Sequence, residues 1–272
     1  ALFELKTLPQ LVSGKTNQCK EKALNFAKFY FDNIIEISSL EEGEIIKLAS
    51  NSYRDLNFAF ANEIARIASK FNLSGNKLIK NSNLGYDRNK ISLPSIGVGG
   101  YCLPKDPILF SKLFNMSGGY SLGKNSRQIN ENNISESFKK IVNKKNRFKK
   151  TLILGAAFKG LPETIDLRNS PSLQISKLLK RKSKKIEFYD VMQKDIKSAY
   201  SNLEISFIKN LKKINEFDLI ILANNHPRYI EVIEGEKGIK FNNKNEKKFI
   251  FDPWCVLNQD LIQKLNWKYI SL

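Results

Sequence analysis

A chain of 272 residues, 42% hydrophobic and 26% charged, is long enough for two separate cores and has the balance of a globular protein. No apolar run is long enough to cross a bilayer, so no membrane partner is expected. The net charge of +18 comes from lysines scattered through every segment, without the aromatic interleaving a nucleic-acid stacking surface needs, so no nucleic-acid partner is expected either.

In chain order, Leu11-Val12 and Ile34 to Ile37 read as short strands around a helix over about Asn17 to Asp32, where Ala23, Phe26, Ala27 and Tyr30 recur at helical spacing. The chain starts at Ala1 directly in such element-like sequence, and is expected to be part of something longer. A long helix is predicted over about Leu40 to Phe71, with an apolar stripe of Ile45, Ala49, Tyr53, Leu56, Phe60, Ile64 and Ile67. A second stripe carries Lys47, Asn51, Arg54, Asp55 and Asn62; by spacing alone it reads as an ordinary solvated face. Lys47 and Asn51 are four apart and project side by side.

A short helix near Asn76 to Asn83 and a loop with Tyr86, Arg88 and Pro94 follow. Then comes Gly97-Val98-Gly99-Gly100-Tyr101-Cys102-Leu103-Pro104-Lys105-Asp106, a glycine-rich turn that delivers a thiol beside a lysine able to favour its thiolate. Helices are expected from Pro107 and over about Asn125 to Lys145, and Lys144 to Lys150 reads as an exposed linker. The three cysteines, Cys19, Cys102 and Cys255, lack metal-type spacing and predict reduced thiols in the cytoplasm and no metal site.

The last third changes period. Thr151 to Leu154, Ile186 to Tyr189, Leu219 to Leu222 and Phe249 to Phe251 read as strands, with a helix capped by Ser170 and opened by Pro171. Strands alternating with helices predict an α/β fold with a doubly wound parallel sheet. Gly155 and Gly160 are a weak glycine fingerprint. The single histidine, His226, reads as structural, and Cys19 and Cys255 as inert.

Three patches in one order carry a resemblance: Lys47 to Asn51 with Ala61-Asn62-Glu63, Gly97 to Asp106, and Ala157-Phe158-Lys159 with Glu163 to Pro171. Together they resemble the UDP-glucose/GDP-mannose dehydrogenase family of nucleotide-sugar 6-dehydrogenases. The resemblance implies residues 1–39 as the remnant of an NAD-binding Rossmann domain, 40–147 as a central helical dimerisation domain with the cysteine loop, and 148–272 as a Rossmann-like UDP-sugar-binding domain. It implies NAD as cofactor, a UDP-sugar substrate and a homodimer formed through the helical domain. The chain by itself, short of most of the NAD domain, is expected not to turn over.

For the intact enzyme the resemblance implies a four-electron oxidation of the sugar C6 alcohol, through a thiohemiacetal and a thioester on Cys102. Lys47 and Asn51 would stabilise the developing oxyanion, and Asp106 would position or deprotonate water. Lys159, Gly99, Gly100 and Tyr101 would contact the UDP-sugar, and Arg88 the partner subunit's site; Arg168 and Lys105 would serve the cofactor side. Asn51 to Asp55 and Phe60 to Glu63 look more like the N-acetylhexosamine branch than the UDP-glucose branch, which remains the alternative. A non-catalytic UDP-sugar-binding or dimerisation module is a further alternative.

Overall fold

The computed structural model describes residues 7–115, 120–235, 238–242 and 247–272. The first residues of the expected opening unit, 1–6, lie outside that range. Strand β1 (Gln10–Val12) pairs in parallel with β2 (Ile34–Glu36) across helix α1 (Asn17–Lys28), the anticipated β-α-β unit. Thr16 starts α1 by accepting the Cys19 N–H at 3.2 Å.

Helix α2 (Leu40–Lys70) is started by a reciprocal cap. Ser39 Oγ accepts the Glu42 N–H at 3.1 Å, while the Glu42 carboxylate reaches back to the Ser38 N–H at 2.6 Å. Helices α3 (Gly75–Asn83), α4 (Asp106–Asn115) and α5 (Leu122–Lys144) complete the helical part, with α5 packed along α2.

The faces of α2 are partly exchanged relative to the sequence expectation. Tyr53, Phe60 and Ile67 are 63%, 50% and 56% exposed, whereas Asp55 and Asn62 are wholly buried. Asp55 and Asn62 are turned toward α5 and the loop that follows α3, because those elements offer them hydrogen-bond partners, while Lys47 and Arg54 of the same stripe stay exposed. Of the apolar stripe, Ile45, Tyr53, Phe60 and Ile67 are exposed, while Ala49, Leu56 and Ile64 are half-buried.

Five strands form the second unit: β3 (Phe148–Leu154), β4 (Ser183–Tyr189), β5 (Leu219–Leu222), β6 (Phe249–Phe251) and β7 (Lys268–Ile270). They lie parallel in the order β4-β3-β5-β6-β7. Leu152 to Leu154 and Leu219 to Leu222 are buried on both faces, which is why they read as unbroken apolar runs.

Helices α6 (Pro171–Leu179), α7 (Gln193–Ala199), α8 (Pro227–Glu234) and α9 (Gln259–Lys264) cover the sheet. One of its cores also takes in Ile96, Ile134 and Ile141, so the helical part is seated on the sheet through α5.

Two local expectations change. The linker is shorter, because Phe148 is buried and β3 begins there; Lys145 Nζ holds Asp218 at the foot of β5, 2.8 Å away. Ser170 does not cap α6 with its side chain; its hydroxyl donates to the Ala156 carbonyl at 2.7 Å and so fastens the helix start to the turn after β3.

The order places a switch point between β3 and β5, whose carboxyl ends open a crevice where the chain departs in opposite directions. Gly155, at φ +94, is required there: a Cβ would come within 2.4 Å of the Asn224 amide nitrogen, in the turn after β5.

Candidate functional site

The loop from Gly97 to Asp106 crosses between the helical part and the open end of the sheet. Its geometry comes from contacts on both sides. Gly100, at φ +90, donates its N–H to the Arg168 carbonyl at 2.9 Å, and the Asn169 side chain donates to the Gly100 carbonyl at 3.0 Å. Added carbon at Gly100 would meet the Phe158 ring at 3.0 Å, and at Gly99 the Asn169 carbonyl at 2.5 Å. Glycine is therefore what lets the loop lie against the segment that follows β3.

On the helical side, a turn over Leu103 to Lys105 leads from Cys102 into α4. The Cys102 carbonyl accepts the N–H groups of Lys105 and Asp106 at 3.1 and 2.9 Å. Asp106, wholly buried, is the first residue of α4, where a carboxylate suits the positive helix end. Asn51 donates to its Oδ2 at 2.6 Å and Lys105 Nζ to its Oδ1 at 2.5 Å.

Lys105 is thus engaged by Asp106, whose hydrogen bond raises the lysine pKa. Cys102 itself is half-buried. Lys47 is exposed one turn before Asn51 on α2.

Tyr101 lies between two cations, with the Arg168 guanidinium 4.6 Å and Lys105 Nζ 5.2 Å from its ring centroid. Arg168 is held by Asp166 through bonds of 3.0, 3.1 and 2.7 Å, which hold the Asp166 carboxyl below its ordinary range. Lys159, half-buried, lies over the Phe158 ring at 5.5 Å. Cys102, Asp106, Asn51, Lys105, Tyr101, Gly99, Gly100, Lys159 and Arg168 are therefore linked through one network of contacts around the loop.

Arg88 is not part of it: exposed, it stacks on its own Tyr86 at 5.3 Å. His226 has both ring nitrogens engaged, with Nδ1 accepting the Arg228 N–H at 3.2 Å and Nε2 3.0 Å from Glu163. Burial pushes the Cys255 thiol up to about 11, in keeping with an inert sulfur. Among the described residues no cluster of His, Cys, Asp and Glu is arranged to hold a metal.

The sequence reading missed a buried polar layer beneath the loop. Arg127 on α5 donates to Asp55 at 2.8 Å, to the Leu103 carbonyl at 3.3 Å and to the Val98 carbonyl at 3.2 Å. Asn130 donates to the Asp55 carboxylate at 3.0 Å and Ser126 at 3.1 Å. Burial pushes the Asp55 carboxyl up, and the charge of Arg127 works against that shift. Asn62 accepts the Ser95 N–H at 2.8 Å and donates to Asn130 at 3.0 Å. The available signal was Ser126-Arg127-x-x-Asn130, a polar stripe on α5 at the same helical spacing as Asn51, Asp55 and Asn62 on α2.

Two family descriptions match this chain: "UDP-glucose/GDP-mannose dehydrogenase family, central domain" over residues 41–132, and the same family's "UDP binding domain" over 152–259. The UDP-N-acetyl-D-mannosamine dehydrogenase of Pyrococcus horikoshii is 32% identical over 223 residues, covering 78% of this chain and 50% of that protein. That of Campylobacter jejuni is 30% identical over 247 residues, 88% of this chain and 58% of that one. A solved structure of the UDP-D-ManNAc dehydrogenase from Pyrococcus horikoshii superimposes with a TM-score of 0.78 at 26% identity, covering 99% of this chain and 60% of that one. The UDP-glucose dehydrogenase of Pyrobaculum islandicum shares the fold, with a TM-score of 0.74 at 19% identity over 97% of this chain and 60% of that one. The chain therefore spans 50% to 60% of the length of these relatives.

Proposed function

Because this chain belongs to the UDP-glucose/GDP-mannose dehydrogenase family, we propose that the intact protein is an NAD-dependent nucleotide-sugar 6-dehydrogenase. It oxidises the C6 alcohol of a UDP-sugar to a carboxylate, with UDP-N-acetylmannosamine favoured by its named relatives. The observation that carries this reading is the double anchoring of the Cys102 loop: to Asn51 on α2 through Asp106, and to the Arg168–Asn169 backbone through Gly100.

Oxidation of the alcohol leaves an electrophilic aldehyde carbon. Cys102 Sγ adds to it, forming a C–S bond and moving negative charge onto the former carbonyl oxygen. The ammonium of Lys47 and the amide of Asn51, adjacent turns of one stripe, stabilise that charge. The carbon still carries a hydrogen, so a second oxidation yields a thioester. Water then cleaves the C–S bond, Asp106 accepts the water proton, and the acid and the thiol are released.

NAD, when bound, takes up the hydride of each oxidation. Among the described residues the β1-α1-β2 unit has a single turn glycine, Gly14, and no phosphate-binding glycine fingerprint. What this chain offers a dinucleotide is one edge, the exposed Arg168 guanidinium and the Lys105 ammonium beside Tyr101.

Lys159, in the segment that follows β3, suits a phosphate of the UDP group. The exposed Tyr53, Phe60 and Ile67 of α2 support pairing of two copies through their helical parts, and the exposed Arg88 is then available to the partner copy's site.

Incubating the intact protein with NAD and a panel of UDP-sugars tests the proposal. Two NADH per UDP-N-acetylmannosamine are expected, and no acid from Cys102→Ala. Acid production by that variant refutes the thioester route, and preferential turnover of UDP-glucose refutes the acetamido assignment.

A further inference from the structure

Arg127 and Asp55 have no part in the chemistry above, yet they are the most completely buried ion pair beside the site, 3% and 0% exposed. Burying a guanidinium is costly, and a neutral donor would satisfy a loop carbonyl without that cost. What arginine supplies that a neutral side chain cannot is a rigid planar fork able to serve separate acceptors at once. Here one nitrogen bonds the Leu103 carbonyl and Asp55 Oδ1, while the other bonds the Val98 carbonyl.

Val98 and Leu103 bracket the glycine turn and Cys102, which directly precedes Leu103. Asp55 orients the fork and is itself held by Ser126 and Asn130. It also lies one turn beyond Asn51, the residue that holds Asp106. A single stripe of α2 therefore reaches the loop at two points, its carbonyls through Arg127 and its aspartate through Asn51.

We propose that Asp55 and Arg127 are a positioning pair for Cys102: by closing the segment from Val98 to Leu103 at both ends they set where the thiol meets the sugar C6 carbon. This rests on the reaction proposed above. Misplacing a reacting group by about 1 Å can lower a rate by roughly 100-fold, so the pair acts on turnover more than on substrate affinity.

The test compares the intact wild-type protein with Arg127→Lys and Asp55→Asn. Lysine keeps a cation for Asp55 but is a point donor that cannot span both carbonyls. Both variants are expected to melt cooperatively, with kcat lowered about 10- to 100-fold and KM for the UDP-sugar within about threefold of wild type. The rate at which iodoacetamide alkylates Cys102, read by peptide mass spectrometry against Cys19 in the same sample, is expected to change about fivefold or more.

An unchanged kcat in folded Arg127→Lys, or unchanged Cys102 alkylation, overturns the proposal. So does failure of both variants to fold, or a kcat loss fully matched by a rise in KM. If wild-type protein oxidises no UDP-sugar, the functional reading fails and the alkylation comparison alone decides the role of the pair.

Discussion

Along α2 the groups turned inward include Ser52, Asp55 and Asn62, each with hydrogen-bond partners, whereas along β3 and β5 the inward groups are Leu152, Ile153, Leu154, Ile220 and Ile221. The apolar sheet is held by a force without direction, so side chains of about the right volume suffice. The helical layer is held by donors and acceptors that work only within a few tenths of an ångström and a limited range of angles. That stricter way of packing lies directly beneath Cys102. The same helix buries Leu48 and several alanines but leaves Tyr53, Phe60 and Ile67 exposed, so its larger hydrophobic groups point to a surface beyond its own chain.

The contrast can be broken by substitution. The largest effect is expected from Asp55→Ala, which leaves Arg127 buried without its carboxylate and should cost about 3 to 5 kcal/mol in denaturant unfolding. A loss below about 1 kcal/mol would mean that the polar layer is no stricter than the sheet. Next comes the outward face: Phe60→Lys should weaken self-association by roughly 2 kcal/mol, about 30-fold in the dimer dissociation constant by analytical ultracentrifugation. A monomeric wild-type protein at all concentrations would remove the pairing.

In the sheet, Ile221→Val deletes one fully buried methylene group and should cost only about 0.5 to 1.5 kcal/mol. A cost equal to that of Asp55→Ala would erase the difference between the two regions.

The smallest effect concerns Asp166. Arg168 lowers its folded pKa, so the stabilisation is present above the unfolded value of about 3.9 and is lost as pH falls through the lowered folded value. The Arg168 end of the pair is exposed and screened by solvent, so Asp166→Asn should cost only a few tenths of a kcal/mol at pH 7, with the difference from wild type vanishing at strongly acidic pH.

Much of this was legible in the sequence. The extent of α2, four of the five strands of the larger sheet and the cysteine loop each carry a strong local signal: uninterrupted 3.6-residue periodicity, β-branched runs, or clustered glycine. The direction in which α2 faces was not legible, because reading an apolar stripe as inward assumes that the covering surface belongs to the same chain. Strand β7, Lys-Tyr-Ile, lacks the unbroken apolar run that marks β6, and α7, α8 and α9 have seven, eight and six residues, too few turns for periodicity to build up. Arg127 was invisible for another reason. A lone arginine in a lysine-rich helix reads as solvated, and its worth depends on two carbonyls that come together only after the loop has folded over it.

The guanidinium bridge between Val98 and Leu103 also limits what insertions and deletions the chain can accept. One residue more between those carbonyls adds up to about 3.3 to 3.6 Å of backbone, and one fewer removes as much. A planar fork with a fixed spacing between its nitrogens cannot follow either change. Side chains within the turn can be exchanged one for another so long as the backbone closes, but the count of residues from Val98 to Leu103 cannot drift while Arg127 keeps both bonds. In this loop length is as constrained as chemistry, and an indel there removes the bridge even when Cys102 and every glycine remain.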